Sequence, residues 1–188
     1  MEAIDKFKPD LQKQVIFQYG ELIRACADEY SASGLKQIRK SVDFLIEHSH
    51  EGQSKLNLPL VPFSLMQAEM MVRELGLDAM GVSAVLIIDV VEQNELSPDL
   101  VKTKLGERTV QINQELLKIS HLDTTTNNSQ AENMRNLILT MATDFRVILI
   151  KIAERLHQMR KMESLDEKEQ MALACESKFI YSPLAHRL

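Results

Sequence analysis

The stretch TDFRVILIKIAERLHQMR, residues 143 to 160, decides the fold. It reads as one helix running from about Thr143 to Met162. Its apolar run Val147 to Ile150 is the size of a core helix and far short of the ~20 apolar residues that cross a bilayer. Working outward, the pattern stays helical on both sides. A helix is expected from about Gln130 to Ala142 and another from about Asp166 to Tyr181. Before them, the polar segment His121 to Ser129 reads as a loop.

Further upstream, Asp10 is expected to cap a helix reaching about Glu29, with Leu11, Val15, Ile16, Tyr19, Leu22 and Ile23 on one face. A turn at Ser31 to Gly34 leads into a helix ending near His50, with Leu35, Ile38, Val42, Leu45 and Ile46 facing inward. Gly52 to Pro62 is the first real loop. Helices follow near Ser64 to Leu75 and near Met80 to Gln93. Ser97-Pro98-Asp99 combines a cap residue, a first-turn proline and an acid at the positive end of the dipole. That short helix ends at Gly106, and another runs from about Glu107 to Ile119.

Composition agrees with an all-α, multi-helix globule. Of 188 residues 45% are apolar, only 5% are aromatic and Trp is absent, so the core is built on aliphatic side chains and ten Met. Such a balance favours helices over strands. A formal charge of −5 argues against nucleic-acid binding by this segment. Cys26 and Cys175 lie far apart and read as buried thiols rather than metal ligands. Met66, Met70, Met71 and Met80 read as core filling. His48 and His50, two apart, cannot share a helix face and so form no metal pair. No signal peptide opens the sequence, so a soluble, cytoplasmic protein with no membrane partner is expected. The oligomeric state stays open, association with a second copy included.

Several motifs carry the reading further. QAENMR occupies residues 130 to 135, MATDFRVILIKIAERLHQMR residues 141 to 160, and YSPLAHRL residues 181 to 188. They resemble the RelA/SpoT family patterns QAEN-(L/M)-R, DxRVxxIKLADRLHNMR and YAPLAHRLG. His50-Glu51-Gly52-Gln53 is similar to that family's AHxGQ, Leu75-Gly76-Leu77-Asp78 to its LGLD turn, and Ile88-Asp89-Val90-Val91-Glu92-Gln93 to its HDVVED. The resemblance covers roughly residues 35 to 188 with spacing intact. It implies an HD-type domain over residues 1 to 188, whose last part, from about 175, begins a linker helix toward a synthetase domain. In the family this domain hydrolyses the 3′-pyrophosphate of (p)ppGpp with a manganese ion held by two His and two Asp. The ion polarises the phosphoryl group and acidifies a water.

Carried over position by position, the ligand set is degraded. The first His falls on Ser64 and the His of the HD pair on Ile88. Its Asp remains as Asp89, and the last Asp becomes Glu154. The acidic pair that handles water becomes Glu92 and Gln93. Where the family places a guanidinium against the base, Lys55 is left in an apolar loop. A nucleotide-facing remnant would consist of Lys55, Arg155 and Gln158. The resemblance therefore implies that manganese is lost, with weak Mg²⁺ binding by Asp89 and Glu154 as the residual option. Simpler roles compete: Asp89 paired with Lys151 or Arg155, Glu154 as a network charge, and His157 as a packed, hydrogen-bonded residue.

Three functions follow from the resemblance. One is an inactive hydrolase-type domain that restrains an in-cis (p)ppGpp synthetase, a GTP pyrophosphokinase of the stringent response. The second is a residual metal-dependent hydrolase using Asp89, Glu92 and Glu154. The third is a binding module for (p)ppGpp, GDP or GTP. The apolar residues Phe179, Ile180, Tyr181, Leu184 and Leu188 exceed what a free tail needs and are expected to form the seam with the synthetase.

Overall fold

The computed structural model describes residues 2–50, 52–120 and 128–187. The loop expected at His121 to Ser129 therefore lies mostly outside the described residues. The chain is all-α: among the described residues the β pairing is confined to an isolated antiparallel bridge between Gln53 and Pro59. It divides into two compact units, residues 1–114 and 115–188.

The first unit opens with a 3-10 turn, Glu2–Lys6, and then α1 (Pro9–Ala27), α2 (Ala32–His48), α3 (Leu60–Leu75), α4 (Ala79–Gln93) and α5 (Pro98–Leu105). The boundary between the units falls inside α6 (Glu107–Ser120). Several starts differ from the sequence expectation. Lys8, not Asp10, is the N-cap of α1, with Pro9 at the first position and Asp10 in the first turn. Proline suits that place because its missing N–H would find no helical partner there. Ser31 caps α2 by accepting from the Gly34 amide, so the expected turn is already the helix start. Helix α3 begins at Leu60 and takes Pro62 into its first turn, where an amide is again dispensable. Gly76, at φ 57°, closes α3 in the left-handed region that glycine enters without steric cost.

Helix α4 is the core of this unit. It packs against α2 and α3, while α1 packs against α3. Val82, Ala84, Leu86, Ile87 and Val90 are fully buried. Its buried Ser83 returns its hydroxyl to Ala79 O at 2.6 Å, which satisfies a polar group that would otherwise be costly there. The helix is started by Asp78, whose Oδ1 accepts the Gly81 amide at 2.9 Å. Asp78→Ala should lower stability by about 1 kcal/mol, read as a reduced urea midpoint. An unchanged midpoint would show that the cap contributes nothing.

The second unit contains α7 (Asn128–Met141), α8 (Phe145–Arg160), a 3-10 turn at Met162–Ser164 and α9 (Glu167–Glu176). A π-helical turn, Ser177–Tyr181, then leads into α10 (Ser182–His186). The single helix expected from Asp166 to Tyr181 is thus an α-helix followed by a wider turn. Asp166 and Glu169 start α9 with a reciprocal capping box. Ile138, Val147, Ile150, Ile180 and Leu184 are buried in the interior.

Two burial expectations are corrected. Cys26 is buried, but Cys175 is exposed. Its apolar sequence neighbours do not share its face; Met171, one turn away, does and is exposed too. Met70 and Met71 are buried, whereas Met80 is 36% exposed in the first turn of α4.

Candidate functional site

In the first unit the candidate residues gather where the loop after α2 meets the end of α4. The loop closes on itself: the Ser54 amide donates to Leu58 O at 2.7 Å and the Leu60 amide to Gly52 O at 3.0 Å. Ser54 Oγ accepts from the Leu56 and Leu58 amides, and Asn57 takes a left-handed conformation at φ 57°. Leu56 is tucked in and buried. Two side chains of α4 then pin this loop. Glu92 Oε2 lies 2.8 Å from Lys55 Nζ, and Gln93 Nε2 donates to Gln53 O at 3.0 Å. Lys55, Glu92 and Gln93 are therefore brought together, as two stitches between loop and helix.

The other candidates of this unit face the interior. Ser64, on α3, is buried and donates its hydroxyl to Leu60 O at 3.1 Å. Ile88 and Asp89 on α4 are both buried. His48 Nδ1 lies 2.9 Å from Phe44 O, and its ring packs on that of Phe44.

In the second unit the candidates sit on α8. Glu154 is buried, and its Oε2 lies 2.6 Å from Lys151 Nζ, one turn earlier on the same helix. Lys151 also donates to Ser120 Oγ at 3.0 Å. Burial alone would push the Lys151 ammonium down. The Glu154 carboxylate, with help from Tyr181 and the direct hydrogen bond, outweighs this and holds its pKa above the ordinary lysine value. The lysine is therefore a charged group inside the fold. Glu154, which the sequence reading offers as a network charge, is thus its partner in an ion pair.

Arg155 pairs through Nη2 with Glu176, and its guanidinium lies over the Tyr181 ring, 4.5 Å from the centroid. Its Nε and Nη1 are buried without a hydrogen-bond partner. His157 is buried, as the packed reading expects, and Gln158 is half-buried. Among the described residues no three His, Cys, Asp or Glu side chains converge in a way that could hold a metal ion.

A residue outside the candidate list ties the motifs together. Arg135, the last residue of QAENMR, donates through Nη1 to Phe179 O at 2.6 Å. Arg155 of the second motif rests on Tyr181 of the third. Arg135 and Arg155 thus tie the motifs of α7 and α8 to the chain around Tyr181 within the second unit. With that contact in view, the sequence comparison is informative: a family model described as HD domain matches residues 43–188. The chain belongs to the HD-domain family, as a RelA/SpoT-type member.

The relatives of this HD domain include a guanosine-3′,5′-bis(diphosphate) 3′-pyrophosphohydrolase of Aquifex aeolicus, 33% identical over 81% of the chain and 22% of the relative. The bifunctional (p)ppGpp synthase/hydrolase SpoT of Escherichia coli is 33% identical over 82% of the chain and 22% of its own length. A GTP pyrophosphokinase of Streptomyces coelicolor is 32% identical over 89% of the chain and 20% of its own. The chain thus spans about a fifth of these relatives. No helix among the described residues is long and apolar enough to cross a membrane.

Proposed function

We propose that this HD domain is a degenerate (p)ppGpp 3′-pyrophosphohydrolase that serves as a regulatory and structural module of a longer (p)ppGpp synthetase. The observation that carries the reading is the state of the ligand positions. A buried hydroxyl committed to its own helix stands at Ser64, an aliphatic side chain at Ile88, and Glu154 already holds an ammonium at 2.6 Å. This donor set does not fit a manganese centre of two imidazoles and two carboxylates. Glu92 and Gln93, where water would be handled, pin a loop instead.

The residual-hydrolase reading draws less support, because Glu92 and Glu154 both neutralise lysines. The nucleotide-binding reading is weakened in the same way. Lys55 is engaged by Glu92 and Arg155 by Glu176, so an incoming phosphate would have to displace a carboxylate from each. The in-cis synthetase is supported by the names of relatives about five times as long.

Elemental analysis after gel filtration should find far less than one manganese per chain, and added manganese should produce no (p)ppGpp hydrolysis. One tightly held manganese per chain with turnover would replace this proposal by the hydrolase reading. A longer natural chain carrying this domain should make alarmone from ATP and GDP, and removing the domain should change that rate. An unchanged rate would remove the regulatory role.

A further inference from the structure

The π turn at Ser177–Tyr181 has a local cause and a remote partner. In an unbroken α-helix the amide of residue 183 would serve the Phe179 carbonyl. Residue 183 is Pro, which has no N–H and whose ring crowds that carbonyl. The chain widens before it, and the Ser182 amide bonds back to Ser177 O, five residues earlier. The Phe179 carbonyl is taken by Arg135 Nη1, arriving from α7 at 2.6 Å. A charged side chain thus does the work of the amide that proline lacks. Hydrogen bonds with an ionised donor are the stronger kind.

We propose that Arg135 and Pro183 form a latched hinge. Pro183 imposes a break at which α10 can swing, and Arg135 holds the break closed. When closed, the segment buries Ile180 and Leu184 completely. When Arg135 lets go, the Tyr181 ring under Arg155 and the longer bond from Arg187 Nη1 to Asn136 Oδ1, at 3.5 Å, are the polar holds left on the segment among the described residues, and α10 separates while α7 to α9 stay folded. The inference concerns this chain alone and stands whether or not the domain regulates a synthetase.

The test is tryptic cleavage of the whole chain after the exposed Lys178, under native conditions, with circular dichroism alongside. Cleavage there reads how often the turn opens. Arg135→Ala should speed it on the order of ten- to a hundredfold, the loss expected for one charge-assisted hydrogen bond. Pro183→Ala restores a backbone amide for Phe179 O, so adding Arg135→Ala to it should change cleavage by less than about threefold. The same factor in both backgrounds, or no acceleration by Arg135→Ala alone, would overturn the latch. If Arg135→Ala fails to fold, the double variant decides: recovery of helicity supports the latch and continued unfolding sinks it.

Discussion

Lys151→Met is expected to cost about 3–5 kcal/mol, enough to unfold the second unit under mild conditions. The reason is the carboxylate left behind. Glu154 is only 6% exposed, and the lysine is its neutralising partner at 2.6 Å. Removing one member of a buried pair strands the other in a poor dielectric, whereas removing both costs far less. Lys151→Met with Glu154→Gln should therefore be more stable than Lys151→Met alone. Urea titrations of the parent and the two variants measure this. A lysine variant as stable as the parent would show that the pair carries no weight, and with it would go the argument that Glu154 is already committed.

The same pair has a pH signature whose sign can be worked out. The pKa of Lys151 is higher in the folded chain than in the unfolded one. Its contribution is complete below the ordinary lysine value of about 10.4 and is lost as pH rises through the folded value. Tyr30 acts in the same direction in the first unit. Burial, then the charges of Cys26, Asp78 and Glu29, push its phenol well up, and its hydroxyl donates to Leu77 O. Stability should be insensitive to these groups at neutral pH and should fall above about pH 10 in both units. Tyr30→Phe should reduce the alkaline slope of the first unit only, leaving the share of Cys26, whose thiol burial pushes up to about 11, as followed by hydrogen exchange of α3 and α4 amides.

The legible parts of the molecule share a property: each is written in residues close together in the chain. Ser97-Pro98-Asp99 starts α5 as expected, with the Leu100 amide donating to Ser97 Oγ. The proposed loss of both imidazoles likewise rests on local spacing, which sets Ser64 and Ile88 at the family's His positions. What escaped depends on partners brought near by folding. Nothing in YSPLAHRL says that Pro183 will free a carbonyl for Arg135, more than forty positions upstream. Cys175 and Met80 are exposed against expectation because apolar neighbours in sequence do not make a buried face. The loop after α2 looked merely apolar, yet its role is to be stitched to α4 by Lys55 and Gln53.

The C-terminal segment shows what that difference does to an experiment. Its apolar residues suggested a seam offered to a neighbouring domain, but Ile180, Tyr181 and Leu184 are already buried; Leu188 lies outside the described residues. Tyr181 is 8% exposed and carries the Arg155 guanidinium on its ring. Tyr181→Ala should therefore cost about 3–5 kcal/mol, as large aromatic truncations do, with the lost cation–π contact inside that figure. Phe179 is different. It is half-buried, its ring meets Lys178 at 5.3 Å, and its main-chain oxygen makes the bond to Arg135. Phe179→Ala keeps that oxygen and should cost about 1 kcal/mol. Only Phe179→Ala can then test communication with a synthetase, since a change in alarmone synthesis on Tyr181→Ala would follow from unfolding alone. Urea midpoints of the two variants decide the matter, and equal losses would mean that Tyr181 is not the anchor of this segment.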